Sequence, residues 1–117
     1  MQPLKDRTKQ FAVAVIRFCS SLPPKDEYGV IGRQLMRSAS SVGANYRAAC
    51  RARSRRDFIA KLSIVEEEAD ESAYWLEVIQ ALGDDQVDAA QRARLHQEAE
   101  ELLAITVASK KTARRNA

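Results

Sequence analysis

Apolar positions along the chain recur at alternating intervals of three and four, the period of one face of an α-helix. The first series is Leu4, Phe11, Val15, Phe18 and Leu22, with Thr8 at the step between Leu4 and Phe11. Pro3 suits a first helical turn, and Pro23-Pro24 ends the helix. A second series, Tyr28, Ile31, Leu35, Val42, Tyr46 and Ala49, carries the small residues Ser38 and Ala39 at its missing step. Gly29, Gly32 and Gly43 lie within it. Each weakens a helix by about 1 kcal/mol relative to Ala, so each either admits a neighbouring backbone or is merely tolerated.

Ser54-Arg55-Arg56-Asp57 resembles a capping box, with Asp in place of the more usual Glu. The third series follows it: Phe58, Leu62, Val65, Ala69, Ser72, Leu76 and Ile79, closed by Gly83. Asp84, Asp85 and Asp88 are expected to open the last helix, where acids favour the dipole. That helix is read from Val87, Ala90, Leu95, Ala99, Leu102 and either Ile105 or Thr106, and it ends among Lys110, Lys111, Arg114 and Arg115. No segment alternates with the strand period, and none repeats. The pattern predicts helices over about 4–22, 27–53, 55–82 and 85–112 in a single domain spanning 1–117. Short connections fold such a chain most simply as an all-α, antiparallel up-down-up-down four-helix bundle.

Composition agrees with long helices: 117 residues, 6% aromatic, with four Gly and three Pro. Charge changes the picture more. The net charge is +3, but residues 1–60 carry a surplus of eight positive charges, 61–105 a surplus of nine negative, and 106–117 four positive. Such segregation implies ion pairing between helices or two faces of opposite sign. Two cysteines, Cys19 and Cys50, cannot form a secreted disulfide framework, which points to a reducing cytoplasm. The longest apolar run, Phe11 to Ile16, is far short of a membrane span and short for a signal-peptide core.

Catalytic inventories are poor. His96 is the only histidine, and no motif sets a Ser or Cys beside it. A di-metal bundle needs Glu-x-x-His on two helices, whereas Ala93 stands three before His96. The acids Glu66, Glu67, Glu68 and Glu71 read better as solvent-facing groups and arginine partners than as a metal site. There is no Gly-rich phosphate loop. The expectation is no enzyme, no cofactor and no metal.

The strongest functional signal is Arg47, Arg51, Arg53, Arg55 and Arg56, gathered by connectivity around the turn between the second and third helices. Guanidinium groups suit planar, bidentate contact with phosphate or carboxylate. Three readings stay open: nucleic-acid phosphates, acids on a neighbouring subunit or partner protein, or a plain solvated patch. Tyr46 nearby can stack on a base, although its seam position suits the core. On the third helix Tyr74, Trp75 and Val78 widen the apolar stripe beyond one face, which suggests a subunit interface. Glu68 and Glu71 share that flank, within reach of Arg37 or Lys61.

The stretch Leu35-Met36-Arg37-Ser38-Ala39-Ser40-Ser41-Val42-Gly43-Ala44-Asn45-Tyr46-Arg47 resembles the second-helix signature of the proteins encoded in intervening sequences of bacterial 23S ribosomal RNA genes. Asp57-Phe58-Ile59-Ala60-Lys61-Leu62-Ser63-Ile64, followed by Glu68, Glu71 and Tyr74-Trp75-Leu76, is similar to the third-helix signature. The likeness covers roughly residues 8–82. Ala48 stands where the family usually has an acid, and Glu66, Glu67 and Asp70 where it has apolar or basic residues.

The resemblance implies a four-helix bundle, assembly as a ring-like homopentamer, and no enzymatic activity. The accessory protein of diversity-generating retroelements, also similar to this family, partners a reverse transcriptase and binds nucleic acid through a basic surface. Two functions are therefore expected. One is a bundle that binds nucleic acid, structured RNA before DNA, through the five arginines. The other is a scaffold ring that docks a partner such as a reverse transcriptase. Among the signature positions, Arg37, Asn45, Asp57, Lys61, Glu68 and Glu71 are polar residues beside apolar seams, where a satisfied network fixes helix register. Arg37 is expected to pair with Glu68 or Glu71, and Asp57 to cap the third helix or meet an arginine.

Overall fold

Each apolar series forms a helix, and side-chain chemistry sets where each one stops. The computed structural model describes residues 3–116. Helix α1 spans Leu4–Ser20, α2 Asp26–Cys50, α3 Arg55–Leu82 and α4 Ala89–Arg115. No strand occurs among the described residues. At the start of α3 the Ser54 hydroxyl accepts the Asp57 N–H at 3.0 Å. Gly83 ends that helix with φ 67°, a left-handed conformation that an L side chain resists.

The start of α4 corrects the expectation from sequence. Asp88 is its N-cap, accepting the Gln91 N–H at 3.0 Å. Asp84 belongs to the preceding turn, where one carboxylate oxygen takes the Gln86 N–H at 2.9 Å and the other takes the Lys25 ammonium at 2.8 Å. Four residues thus leave the predicted helix because an Asp side chain offers the backbone a turn instead.

The bundle is antiparallel, as pairs of touching residues show. A Cβ on Gly43 would lie 3.3 Å from the Thr8 carbonyl, while the Cys19 Sγ–H points to the Gly32 carbonyl at 3.7 Å. Lys25 at the start of α2 meets Asp84 just past α3 while Ser38 meets Ser72 farther along, and Glu77 meets His96 while Glu66 meets Lys110 across α3 and α4. In every pair the number rises on one helix as it falls on the next. Consecutive helices pack together, and α1 closes the square against α4. The described chain measures 49 × 22 × 19 Å.

Val15, Leu35, Val42, Leu62, Val65, Leu76, Ile79 and Leu102 fill the interior. Thr106, not Ile105, is the buried residue near the end of α4; its hydroxyl is satisfied by the Leu102 carbonyl at 2.7 Å. Arg7 ties α1 to α4 by a two-pronged contact with Glu98, at 2.6 and 2.7 Å, and by a 2.9 Å bond to Glu101. Since α1 has 17 residues and α4 has 27, α4 runs on past the start of α1.

Candidate nucleic-acid interface

One end of the bundle collects the start of α1, the end of α2, the start of α3 and the end of α4. Arg47 lies in the last turn of α2, Arg51 is its C-cap, Arg53 stands in the connecting turn, and Arg55 and Arg56 open α3. All five are exposed, and none forms an ion pair among the described residues. No Asp or Glu occurs from Tyr28 through Arg56, so α2 and the turn after it supply no acid of their own to these arginines. Arg7, Lys25, Arg37 and Lys110, by contrast, each hold an acid.

The helix dipoles divide the cluster. Arg47 sits at the negative end of α2, where a cation is favoured. Arg55 and Arg56 sit at the positive end of α3, where each costs about 0.3–1 kcal/mol. Asp57 adds an acid to that turn, but its side chain has no hydrogen-bond or ion-pair partner among the described residues. Ser54, not Asp57, supplies the side-chain cap.

The end of α4 enlarges the basic surface. It packs beside α3's first turn, where Phe58, Ile105, Ala108 and Thr112 line a shallow cleft, and Lys110 reaches back to Glu66 at 3.1 Å. Lys111, Arg114 and Arg115 therefore stand at the arginine end, exposed and without ion pairs among the described residues. On the α1 side, a cleft of about 260 Å³ is rimmed by Lys5, Lys9 and Arg47, with Gly43 and Ser40 in its wall. The arginine cluster was legible in the sequence. The α4 tail and the α1 lysines were not assigned to it, although an even number of antiparallel helices returns the last C-terminus to this end. Tyr46 is half-buried against the core, as its seam position suggests.

The other sequence-predicted positions divide into two groups. Arg37 approaches Glu71 at 2.5 Å and Glu68 at 3.2 Å, joining α2 to α3. Glu71 also accepts the Trp75 indole N–H at 3.1 Å. Burial pushes the Glu71 carboxyl up, but hydrogen bonds from Arg37 and Trp75 and the guanidinium charge together hold it below the ordinary carboxylate range. Asn45 bonds within its own helix, to the Ser41 carbonyl at 2.9 Å and hydroxyl at 2.8 Å. Lys61 and Asp57 join neither group. Sequence reasoning missed the buried Ser38–Ser72 hydroxyl pair, 2.9 Å apart, which links α2 to α3.

Of the candidate interface residues, Tyr74 is exposed and lies edge-on against Trp75, with ring centres 5.0 Å apart. Trp75 and Val78 are half-buried against the core. Leu82, one turn beyond Val78, is also exposed.

The sequence profile of the 23S rRNA-intervening sequence protein family matches residues 4–108. The chain belongs to that family. A crystal structure of a protein with unknown function from the S23 ribosomal protein family of Bacteroides thetaiotaomicron superposes with a TM-score of 0.83. It is 32% identical and covers 93% of this chain and 99% of its own. No curated protein matches. Within the 23S rRNA-intervening sequence family this chain has a four-helix bundle with no helix long and apolar enough to cross a membrane among the described residues.

Proposed function

We propose that this chain is a non-enzymatic, cytoplasmic nucleic-acid-binding protein whose arginine end contacts the phosphates of structured RNA. The observation that carries the reading is the placement of Arg55 and Arg56. Two unpaired cations at the positive end of a helix lower stability, and an anion bound there reverses the penalty. Arg47, Arg51 and Arg53, with the α4 tail beside them, extend one strongly basic surface on which several phosphates fit. Among the described residues no exposed aromatic platform or groove-entering helix stands at this end, so affinity comes from backbone charge and falls steeply with salt. Structured RNA is proposed before duplex DNA because guanidinium planes stack on the unpaired bases of its loops as well as pairing with its phosphates.

Assembly as a homopentamer fits this reading. Exposed Tyr74, packed on Trp75 and next to Val78, supplies an apolar contact for a neighbouring copy, and a ring repeats the basic end five times. Repetition turns a weak contact into a strong one through avidity. A second reading, a scaffold that docks a partner protein such as a reverse transcriptase, draws support from the exposed acids Glu67 and Asp70 on α3.

Charge reversal separates the two. In the Arg53→Glu/Arg55→Glu variant, helicity and assembly are expected to persist while RNA affinity and its salt slope fall together. Unchanged RNA affinity would contradict the phosphate reading. Loss of assembly would show instead that these arginines hold subunits together.

A further inference from the structure

Away from the arginine end, the seam between α3 and α4 brings together three groups that sequence spacing does not connect. Glu77 comes from α3; His96 and Glu100 stand four residues apart on α4 and share a face. The His96 Nε2 lies 2.8 Å from one Glu77 oxygen and 3.4 Å from one Glu100 oxygen. All three donor atoms fall within 4.8 Å of one another. The Nε2 atom directs at most one N–H at one of these oxygens, so the second carboxylate is left with the longer contact to the same nitrogen. A divalent cation in place of that proton answers all three groups at once.

We propose that Glu77, His96 and Glu100 form a binding site for a divalent transition metal of the Zn²⁺ class. One imidazole nitrogen and two carboxylate oxygens from two elements suit a borderline ion, which would complete its shell with water. Hard ions such as Mg²⁺ and Ca²⁺ gain nothing from the imidazole and favour all-oxygen sets. His96 is partly covered and both glutamates are open to solvent, so the metal has direct access and exchanges readily. Arg92 stands one helical turn before His96, and its charge opposes a cation there. The bound metal would cross-link α3 to α4 and stabilise the fold without touching the arginine end.

Titration of the untagged, full-length protein with Zn²⁺ in a calorimeter tests this, with Co²⁺ as a visible-absorption probe. The expected result is one ion per chain, micromolar affinity and a raised melting temperature. His96→Gln should weaken binding at least tenfold with helicity unchanged, whereas Arg92→Gln should tighten it severalfold. The Cys50→Ser variant guards against capture by the exposed thiol. No binding at millimolar Zn²⁺, or binding that survives His96→Gln and disappears in Cys50→Ser, would overturn the assignment.

Discussion

A cation in the first turn of a helix works against the aligned peptide dipoles, and Arg55 and Arg56 do so with no acid bound to them. Arg55→Glu/Arg56→Glu is therefore expected to stabilise the fold by about 0.3–1 kcal/mol per substitution, measured as a rise in the urea midpoint. The same variant should lose RNA affinity, so stability and binding move in opposite directions. A fall in stability would mean that these side chains are structural. The two cysteines make a second contrast at this scale. Burial pushes the Cys19 thiol up to about 11, while Cys50 is exposed. Iodoacetamide at pH 8 should add one label per folded chain, located on Cys50 by peptide mass. Equal labelling of both thiols would contradict the packing of α1 on α2.

Between elements, the glycines of α2 are not equivalent. A methyl group at Gly29 meets only the end of the Arg33 side chain, at 3.5 Å. Gly29→Ala should stabilise by up to about 1 kcal/mol, the helical preference of Ala over Gly. At Gly43 the methyl would lie 3.3 Å from the Thr8 carbonyl, and pushing α1 away offsets that gain, so Gly43→Ala should be neutral or destabilising. Thermal melts of the two variants check the difference. Acid tests the α2–α3 bridge. Glu71 titrates below its ordinary 4.5 in the folded protein, so the unfolded chain takes up the proton first as pH falls. Its contribution is complete at neutral pH and drains as pH drops from about 4.5 through the folded value. Arg37→Gln should therefore lose less stability between pH 7 and pH 3 than the parent protein, read from urea midpoints. Periodicity made the four helices legible because each must bury one stripe. It could not show that Asp84 would turn the chain, since the same acid suits a helix start and a tight turn. The Ser38–Ser72 pair was hidden for a similar reason: register between helices decides whether two small seam residues meet.

Across the whole molecule, the ends carry opposite character. The basic end joins the α2–α3 turn to the end of α4, and the far end joins Lys25 to Asp84 between the two remaining turns, with Asp85 and Asp88 nearby. The arginine cluster could be read from the chain because its members are close in sequence and free of acids. Lys111, Arg114 and Arg115 could not, because more than fifty residues separate them from it and only the closed bundle brings them back. Glu77 and His96, nineteen residues apart, meet only because the chain turns back between α3 and α4. If Tyr74 contacts a neighbouring copy, Tyr74→Glu should reduce the assembly from five times the 13.1 kDa chain mass to smaller species in light scattering, with helicity intact. The most direct test of the basic end as a phosphate-binding surface is fluorescence anisotropy with a structured RNA and a duplex DNA of equal length, titrated at several salt concentrations. Tighter binding to the RNA is expected, with a log–log salt slope of about −3 to −5, the release that accompanies neutralisation of roughly four to six phosphates. No binding at low salt, or binding insensitive to salt, would contradict it and turn the basic end toward a protein partner.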